Sequence, residues 1–371
     1  MVESAQTCCP FGKPAGLGWL TVVGLDKALI GAVVERVWRP RGVCGLVVGV
    51  SSPERTLMFG FGEAQRGGPV PTGETVFEIA SVTKVFTAVA LAVLAERGLI
   101  VIDEPVRTAL PEHVRVPVWE GREVTFRDLA THTSGLPNHP LGTIRRWLLH
   151  PSQPYAGISA QDLCRGLGRT RLRSEPGARW RYSNTGMGLL GVALEHRTGK
   201  PYETVIRELI SAPLGLRHTG IAPAVETELA VGYGRFRRRL RPGSSGALAA
   251  ATDLRSSVSD LLRFTRLALG QGPTELGRAF GTTLSVRAGV GDGSEQALGW
   301  RVWRLRGDEF PGHGGSSAGY RSSISLHPRS GIAIAALSTG NHRNRNWSDR
   351  LIPALWDAIL TEQPASTPEP S

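Results

Sequence analysis

Ser81 and Lys84 form the pair of residues in this sequence whose types and spacing could do chemistry. They lie three positions apart at the start of an apolar run, Val85 to Leu94, that is typical of a buried helix. Residues i and i+3 of a helix share one face, so the amine of Lys84 could reach the hydroxyl of Ser81. A serine hydroxyl needs a base to remove its proton, and a desolvated neutral lysine can be that base. The pair therefore predicts nucleophilic attack on an acyl group.

The expected helix start adds to this chemistry. Unpaired N–H groups of the first turn carry partial positive charge beside the oxygen that becomes negative during acyl transfer. The alternative is that Ser81 only caps a helix and that Lys84 is a solvated charge. A serine three residues before a lysine is a short pattern that also occurs by chance. The pair becomes specific only together with further residues.

Tyr182 and Asn184 could complete such a site. They follow the turn sequence Glu175-Pro176-Gly177 and precede a predicted helix that begins near Thr185. The phenol could share a proton with Lys84 and pass it to a leaving group. The amide could orient a substrate carbonyl or hold the lysine through its oxygen. The alternative is that Asn184 or Thr185 caps the helix and that Tyr182 is a packing residue.

A glycine-rich stretch near the end of the chain offers a third group of candidates. It runs from Phe310 to Tyr320 and contains His313, Gly315 and Ser316. Glycines in a strand let a ligand approach closely, so a bare edge here could bind an extended substrate and supply an N–H to its oxyanion. His313 would face the site as a proton carrier or hydrogen-bond donor; otherwise it is a histidine of a surface loop.

In this order, the three stretches resemble the motifs of the serine β-lactamase and penicillin-binding-protein superfamily. Class C β-lactamases, D-alanyl-D-alanine carboxypeptidases and esterases of the same fold are its most similar members. The segments that carry the resemblance are Phe77 to Lys84, Tyr182-Ser183-Asn184 and His313-Gly314-Gly315, with further similarity at His132-Thr133-Ser134-Gly135-Leu136, Pro176-Gly177 and Gly315 to Ser323. Similarity spans about residue 43 to about residue 340, nearly the whole globular part.

The resemblance implies a role for each candidate. Ser81 is the acylated nucleophile, and Lys84 and Tyr182 serve the acid/base steps, with the choice of principal base left open. Substrate binding and the oxyanion hole fall to Asn184, His313, Gly315 and Ser316, with the N–H groups of Ser81 and Ser316 forming the oxyanion hole. For Lys84 to act as a base, its pKa must fall from about 10.4 to about 7, which burial and a nearby dipole can supply. Neither a metal ion nor a cofactor is implied.

The third motif departs from most β-lactamases, which have Lys-Thr-Gly or Lys-Ser-Gly there. No lysine follows Lys200 in this sequence. The His-Gly-Gly version removes a fixed cation and a hydroxyl that would bind a β-lactam carboxylate. We therefore expect a serine hydrolase of esterase or D-Ala-D-Ala carboxypeptidase type that acts on a small-molecule or peptide substrate. A β-lactamase with weak activity and a non-catalytic binding module remain the alternatives.

Two rival motifs predict other chemistry but lack its context. Gly315 to Gly319 matches the G-x-S-x-G nucleophile elbow, yet no histidine follows the first later acid, Asp349, as an α/β-hydrolase would require. Gly186 to Gly191 matches the G-x-G-x-x-G dinucleotide motif, yet it follows a polar stretch instead of an apolar strand. Small residues for helix packing explain the second match better.

Strand patterns at both ends of the chain enclose a helical middle. A helix is expected over residues 19–38, strands over 43–50 and 56–61, and the next helix over 81–97. Further helices are expected at about 159–167, 185–197, 202–210 and 257–269, strands at 297–305, 320–326 and 331–338, and a last helix at 347–360. These patterns predict an α/β (α+β) fold. A discontinuous sheet region, 1–80 and 285–360, would hold an inserted helical region, 81–284, with a disordered tail at 361–371. The resemblance specifies an antiparallel sheet flanked by terminal helices, with the active site between the two regions.

Composition excludes several other classes of function. The net charge of +11 suggests nucleic acid, but the arginines are spread along the chain and no nucleic-acid-binding motif accompanies them. The densest group, Arg235 to Arg241, is better explained as a solvated loop or exposed strand. Histidine and cysteine spacings provide no zinc site and no disulfide framework, and no apolar run could span a membrane. A poor signal peptide favours a cytoplasmic location, with secretion left open. A monomer is the favoured oligomeric state.

Overall fold

Segments from both ends of the chain build one sheet in the computed structural model, which describes residues 25–38, 44–143, 146, 148, 153–221, 229–234, 238–240, 243–340 and 347–361. The described residues form ten strands in all, which are β1 Gly45–Ser51, β2 Thr56–Gly62, β3 Phe77–Glu78, β4 Arg255–Ser256, β5 Arg287–Gly289, β6 Glu295–Ala297, β7 Arg301–Leu305, β8 Asp308–Ser316, β9 Tyr320–His327 and β10 Ile332–Thr339. Eight of them form an antiparallel sheet in the order β2-β1-β10-β9-β8-β7-β6-β5, and β3 pairs with β4 separately. The expected antiparallel sheet with helices on its faces is confirmed.

Helices cover both faces of the sheet and fill the middle of the chain. They span Lys27–Val37, Thr83–Glu96, Phe126–Ala130, Ala160–Leu167, Asn184–Thr198, Tyr202–Ile206, Ala212–Leu214, Ala249–Thr252, Val258–Thr265, Thr274–Ser285 and Trp347–Thr361. Short 3-10 turns lie at Ala80–Val82, Val106–Ala109, Gly246–Leu248 and Arg266–Leu269, and a π turn lies at Arg207–Ser211.

Strand β1 shows how the sheet separates two cores. All seven of its residues are buried, as expected for a strand covered on both faces. Leu46, Val48 and Val50 pack into a cluster with the first and last helices, whereas Val47 packs into the larger cluster around Thr83–Glu96. Successive side chains of a strand point to opposite faces, so this alternation places the terminal helices on one face and the helical middle on the other.

The helix Thr83–Glu96, called the nucleophile helix below, lies in the centre of the larger core. Every residue from Thr83 to Leu94 is buried. A helix that is apolar on all sides is stable only inside a protein, which explains the long apolar run in the sequence. The helix ends before Gly98, whose positive φ of 67° ends the helical hydrogen bonding.

Several expected boundaries are wrong, and each has a local cause. The first helix begins at Lys27, because the extended Asp26 caps it by accepting the Ala28 N–H at 2.7 Å; the expected residues before 25 lie outside the described part. The strand expected over 297–305 is two strands, since Gly299 turns the chain at φ 74°. A Cβ at Gly299 would lie 2.7 Å from the Lys84 carbonyl oxygen, so the turn packs on the nucleophile helix.

Other expectations fall partly or wholly outside the described residues. They include the tail at 362–371, most of the arginine group and the possible signal segment before residue 25, which remain predictions, as do the two-region division and the monomeric state. Among the residues that the structure describes, no helix is long and apolar enough to cross a membrane.

Candidate active site

Ser81 lies in a tight turn between strand β3 and the nucleophile helix. The turn Ala80–Val82 is a 3-10 helix, and the α-helix starts only at Thr83, so the helix expected from Ser81 begins two residues later. Ala80 adopts a positive φ of 45°, which costs roughly 1 kcal/mol for a residue with a Cβ. The Ser322 hydroxyl donates to the Ile79 carbonyl at 2.6 Å and holds the chain just before this strained residue.

Lys84 is fully buried, with 0% of its surface exposed, below Ser81. Its Nζ lies 3.1 Å from Ser81 Oγ and donates to the Ala251 carbonyl oxygen at 2.8 Å. Burial holds the pKa of Lys84 well below its ordinary value of 10.5, and no carboxylate in the described part of the chain forms an ion pair with it. A neutral amine that donates to Ala251 keeps its lone pair, which can accept the Ser81 proton.

Tyr182 covers the same pair of side chains from the other side. Its phenol is hydrogen-bonded to Ser81, and Lys84 Nζ lies 4.9 Å from the centre of its ring. Burial raises the pKa of Tyr182 well above its ordinary value, although the bond to Ser81 lowers it in part. The phenol therefore keeps its proton at neutral pH and can donate it.

Two histidines flank the Tyr182 ring. Ring centres lie 4.5 Å away for His132 and 6.4 Å away for His313. Burial, together with the nearby Lys84, lowers the pKa of His132 well below its ordinary value and that of His313 to about 3. Both rings are neutral. His313 Nδ1 must carry a proton, because it lies 2.7 Å from the Gly314 carbonyl oxygen, which can only accept.

Asn184 begins the helix Asn184–Thr198, and its amide is fixed by two neighbours. Asn138 Oδ1 accepts both the backbone N–H of Asn184 at 3.2 Å and its Nδ2 at 3.0 Å. Nδ2 also donates to the Tyr155 hydroxyl at 3.2 Å, and that hydroxyl lies 2.5 Å from His139 Nδ1. Asn184 Oδ1 is buried and has no hydrogen-bond partner. Neither Ser81 nor Lys84 shares a hydrogen bond with this amide.

Strand β8 brings its glycines against the Ser81 turn. A Cβ at Gly315 would lie 2.3 Å from the Ile79 carbonyl oxygen, 2.1 Å from Ser322 Oγ and 3.1 Å from Ser81 N, so only glycine fits. Strand β7 pairs with β8 no further than Gly312, whereas β9 pairs with it as far as Ser316. The edge from His313 to Ser316 is therefore open on the β7 side.

A cleft of about 360 Å³ opens above Ser81. Among the predicted residues, it is lined by Ser81, Asn184 and Ser316, while Lys84, Tyr182 and His313 lie beneath or beside them. The lining residues that were not found from the sequence include Glu78, His139, Tyr155 and Asp253. None stands in a recognisable spacing, although Glu78 lies within the first motif, three residues before Ser81.

The rival motifs have structural explanations. Gly315 to Gly319 connects strands β8 and β9 without a following helix, and the Ser317 hydroxyl donates to Glu78 Oε2 at 3.0 Å. Gly188 and Gly191 lie inside the helix Asn184–Thr198, where a Cβ at Gly191 would lie 2.3 Å from Ala250 Cβ. They allow close helix packing, as expected. The described residues contain no group of His, Cys, Asp or Glu that could hold a metal ion.

Comparison with known proteins identifies the family. A family model described as "Beta-lactamase" matches residues 30–354. D-alanyl-D-alanine-carboxypeptidase/endopeptidase AmpH of Escherichia coli (strain K12) is 29% identical over 198 residues, 53% of this chain and 50% of that protein. Esterase EstB of Burkholderia gladioli is 32% identical over 234 residues, 57% of each chain. The match thus spans only about half the length of these curated relatives.

A solved structure shows the same fold. The crystal structure of a beta-lactamase/D-alanine carboxypeptidase from Pseudomonas syringae superimposes with a TM-score of 0.76 at 21% identity, and the alignment covers 91% of this chain and 99% of that one. Such low identity establishes the shared fold but not a shared substrate.

Proposed function

Since the chain belongs to the beta-lactamase family, we propose that it is a serine hydrolase that cleaves esters or amides through an acyl-Ser81 intermediate. The observation that carries the proposal is the buried Lys84 amine, 3.1 Å from the Ser81 hydroxyl. Burial lowers the pKa of this amine well below its ordinary value and so favours the neutral form, which can act as a general base.

The proposed reaction has two halves. Ser81 Oγ attacks the substrate carbonyl carbon while its proton moves to Lys84 Nζ. The negative oxygen that results is stabilised by the backbone N–H groups of Ser81 and Ser316. The leaving alcohol or amine takes a proton from Tyr182, which regains one from Lys84. Water then attacks the carbonyl carbon of the acyl ester, and its proton passes through Tyr182 and Lys84 back to Ser81 Oγ. The acid leaves, and Ser81 is restored.

Lys84 is the principal base in this proposal, and Tyr182 is the proton donor. The support is the opposite direction of their pKa shifts, because burial favours the neutral form of each. His313 is proposed to hold the open end of β8 through its Nδ1–H bond to Gly314 and not to transfer protons, because its pKa of about 3 leaves it neutral.

The lining of the cleft favours esters and amides over β-lactams as substrates. A β-lactam carboxylate is normally bound by a fixed cation, and the lining residues that the structure describes contain no lysine or arginine. The names of the relatives AmpH and EstB are in line with a carboxypeptidase or esterase reaction.

Covalent labelling tests the nucleophile without knowledge of the natural substrate. We expect a fluorophosphonate to add one adduct to the wild-type chain, on the peptide that contains Ser81, and none to Ser81→Ala. Ser317→Ala is the matched control, because this serine lies in the G-x-S-x-G match and lines the same cleft; it should still be labelled. Labelling that survives Ser81→Ala but is lost with Ser317→Ala would refute the proposal.

Turnover then separates a hydrolase from a binding module. We expect Ser81-dependent hydrolysis of p-nitrophenyl acetate or a D-Ala-D-Ala peptide, with slower turnover of nitrocefin. A correctly folded wild-type protein that turns over none of the three would favour the non-catalytic alternative.

A further inference from the structure

The cleft above Ser81 has a charge opposite to that of the whole chain. The chain carries +11, yet the charged side chains among the described lining residues are two carboxylates, Glu78 and Asp253. His139 adds no positive charge, because burial lowers its pKa and it lies beside the Tyr155 hydroxyl. A ligand that enters the cleft therefore meets negative potential near the reacting serine.

Glu78 has one oxygen engaged and one without a hydrogen bond from a described residue. Oε2 accepts the Ser317 hydroxyl at 3.0 Å. Arg255 faces Glu78 in the β3–β4 pair, but no ion pair joins them. Burial raises the pKa of Glu78, and Ser317 and Arg255 oppose that rise only in part. A cation in the cleft would favour the ionised carboxylate in the same way.

Asp253 is held in place by donors that surround its carboxylate. Oδ2 accepts the Ser245 N–H at 2.6 Å and the Ser244 hydroxyl at 3.4 Å, and Oδ1 accepts the Thr252 hydroxyl at 2.8 Å. These donors are neutral, so they hold the carboxylate in place without cancelling its charge. Asp253 is also two residues from Ala251, which holds Lys84, so its position is tied to the reacting pair.

An independent feature of the same cleft also requires a donor. Asn184 is 8% exposed, and its Oδ1 has no partner. The Asn138 side-chain atom that accepts the Asn184 backbone N–H must be its oxygen, Oδ1. Because the same oxygen also faces the Asn184 amide, the amide atom opposite it must be the donor Nδ2, and the remaining atom is Oδ1. A buried acceptor without a partner is costly, and a ligand N–H would satisfy it.

We propose that the cleft selects substrates that carry an ammonium group on the acyl side of the ester or amide bond. Glu78 and Asp253 would attract the cation, and Asn184 Oδ1 would accept an N–H of the acyl group. A free carboxylate on that side would meet two like charges. The proposal rests on the proposed acyl-Ser81 chemistry and specifies its substrate class.

Three esters that differ only at the end of the acyl chain test this selection. They are the p-nitrophenyl esters of ε-aminocaproic acid, heptanoic acid and adipic acid, which present an ammonium, a methyl and a carboxylate group. We expect kcat/KM for the ammonium ester to exceed that for the methyl ester by about tenfold, and the carboxylate ester to be the poorest substrate. The preference should decrease when salt is added, since screening weakens exposed charge interactions.

Variants assign the preference to the two carboxylates. Glu78→Gln and Asp253→Asn, made separately, should each reduce the ammonium-to-methyl ratio of kcat/KM by about threefold. Glu112→Gln removes the same charge from an exposed side chain that does not line the cleft, so its ratio should equal that of the wild type.

The outcomes separate this inference from the proposed function. Ser81-dependent hydrolysis with equal rates for all three esters, or with a carboxylate preference, overturns the ammonium selection and leaves the serine hydrolase intact. Hydrolysis of none of the esters, with no adduct on Ser81, overturns both. If one acidic variant fails to fold, the wild-type ratio and its salt dependence still decide.

Discussion

Burial gives Lys84 and Tyr182 opposite roles through one physical effect. The charged form of each group is disfavoured, so the lysine loses a proton that it normally keeps and the tyrosine keeps its own. Both groups contact Ser81 or its hydrogen-bond partners, and the neighbouring His132 and His313 remain neutral. The site therefore holds an acceptor and a donor of protons, and no carboxylate of the described residues forms an ion pair with the lysine.

Lys84→Met should abolish acylation without unfolding the protein. Met fills a similar volume but accepts no proton, so we expect the rate of fluorophosphonate labelling to fall by at least about a hundredfold. The thermal midpoint should not fall, because the variant removes a buried polar amine at the cost of the bond to Ala251. Labelling rates and melting curves measure the two effects. Full labelling of this variant would exclude Lys84 as the base.

The pH dependence should follow the amine. Since the active form is unprotonated, kcat/KM should rise with pH through the lowered pKa of Lys84 and then level off. The decrease in kcat/KM at acidic pH should have the same midpoint in His313→Gln as in the wild type. His313, with a pKa of about 3, is already neutral in that pH range. Rate profiles from about pH 5 to about pH 9 test this. A shifted midpoint in His313→Gln would assign the ionisation to the histidine instead.

Stability should depend on the same proton. The unfolded chain binds a proton at Lys84 that the folded chain lacks at any pH between the lowered pKa and 10.5. Loss of this proton on folding lowers the free energy of unfolding in that pH range, and the loss becomes smaller as the pH rises towards 10.5. The gain in free energy of unfolding of Lys84→Met over the wild type should therefore be largest at neutral pH and smaller at higher pH. Denaturant melts at two pH values measure the difference; an advantage that grows with pH contradicts the assignment.

At the scale of elements, strand β8 packs so closely on the Ser81 turn that there is no room for a side chain at Gly315. Gly315→Ala would push the strand away from Ser81, because its Cβ would overlap the Ile79 carbonyl and Ser322 Oγ. We expect a loss of about 1–3 kcal/mol in the free energy of unfolding and a clear decrease in kcat. Gly314→Ala is the matched control for stability, since its Cβ would meet nothing nearer than 3.9 Å. Equal melting temperatures for the two variants would show that the contact is looser than described.

The elements that the sequence predicts well are those with long periodic patterns. The nucleophile helix, β1, β2, β9, β10 and the last helix lie within a few residues of their expected bounds, and the family resemblance of the three motifs is confirmed. The helix Thr274–Ser285 was missed because its pattern is interrupted by Gly277 and Gly281, where an added Cβ would meet no atom within 4 Å. Gly299 was missed as a break, because one glycine inside an apolar run does not by itself predict a turn and its contact with Lys84 is not visible in the sequence.

The predicted site residues came from motifs, whereas the missed ones depend on distant contacts. Asn138 and Tyr155 fix the Asn184 amide from 46 and 29 residues away in the sequence. Asp253 approaches Ser81 only because its own segment packs on the nucleophile helix. Such neighbours carry no local pattern, so a single sequence cannot reveal them. The roles assigned to the motif residues remain proposals until the variants are measured.

At the scale of the whole molecule, the terminal helices stabilise the sheet from the face opposite the site. Trp356 is 3% exposed, donates from Nε1 to Ser325 Oγ at 2.9 Å and contacts Phe310 edge-on at 4.9 Å between ring centres. Trp356→Ala should reduce the free energy of unfolding by about 3–5 kcal/mol. Trp303→Ala, at a position 44% exposed, should cost much less. Denaturant melts of both variants test this; equal losses would mean that the helix contributes little.

The sheet order has a consequence for synthesis on the ribosome. Strand β1 lies between β2 and β10, and β10 comes last in the chain among the strands that the structure describes. Until that strand emerges, β1 presents an unpaired edge, and the apolar side chains that later meet the last helix are exposed. The sheet of the nascent chain therefore cannot be completed before β10 and the helix Trp347–Thr361 have been synthesised, and a chaperone would be most useful until then.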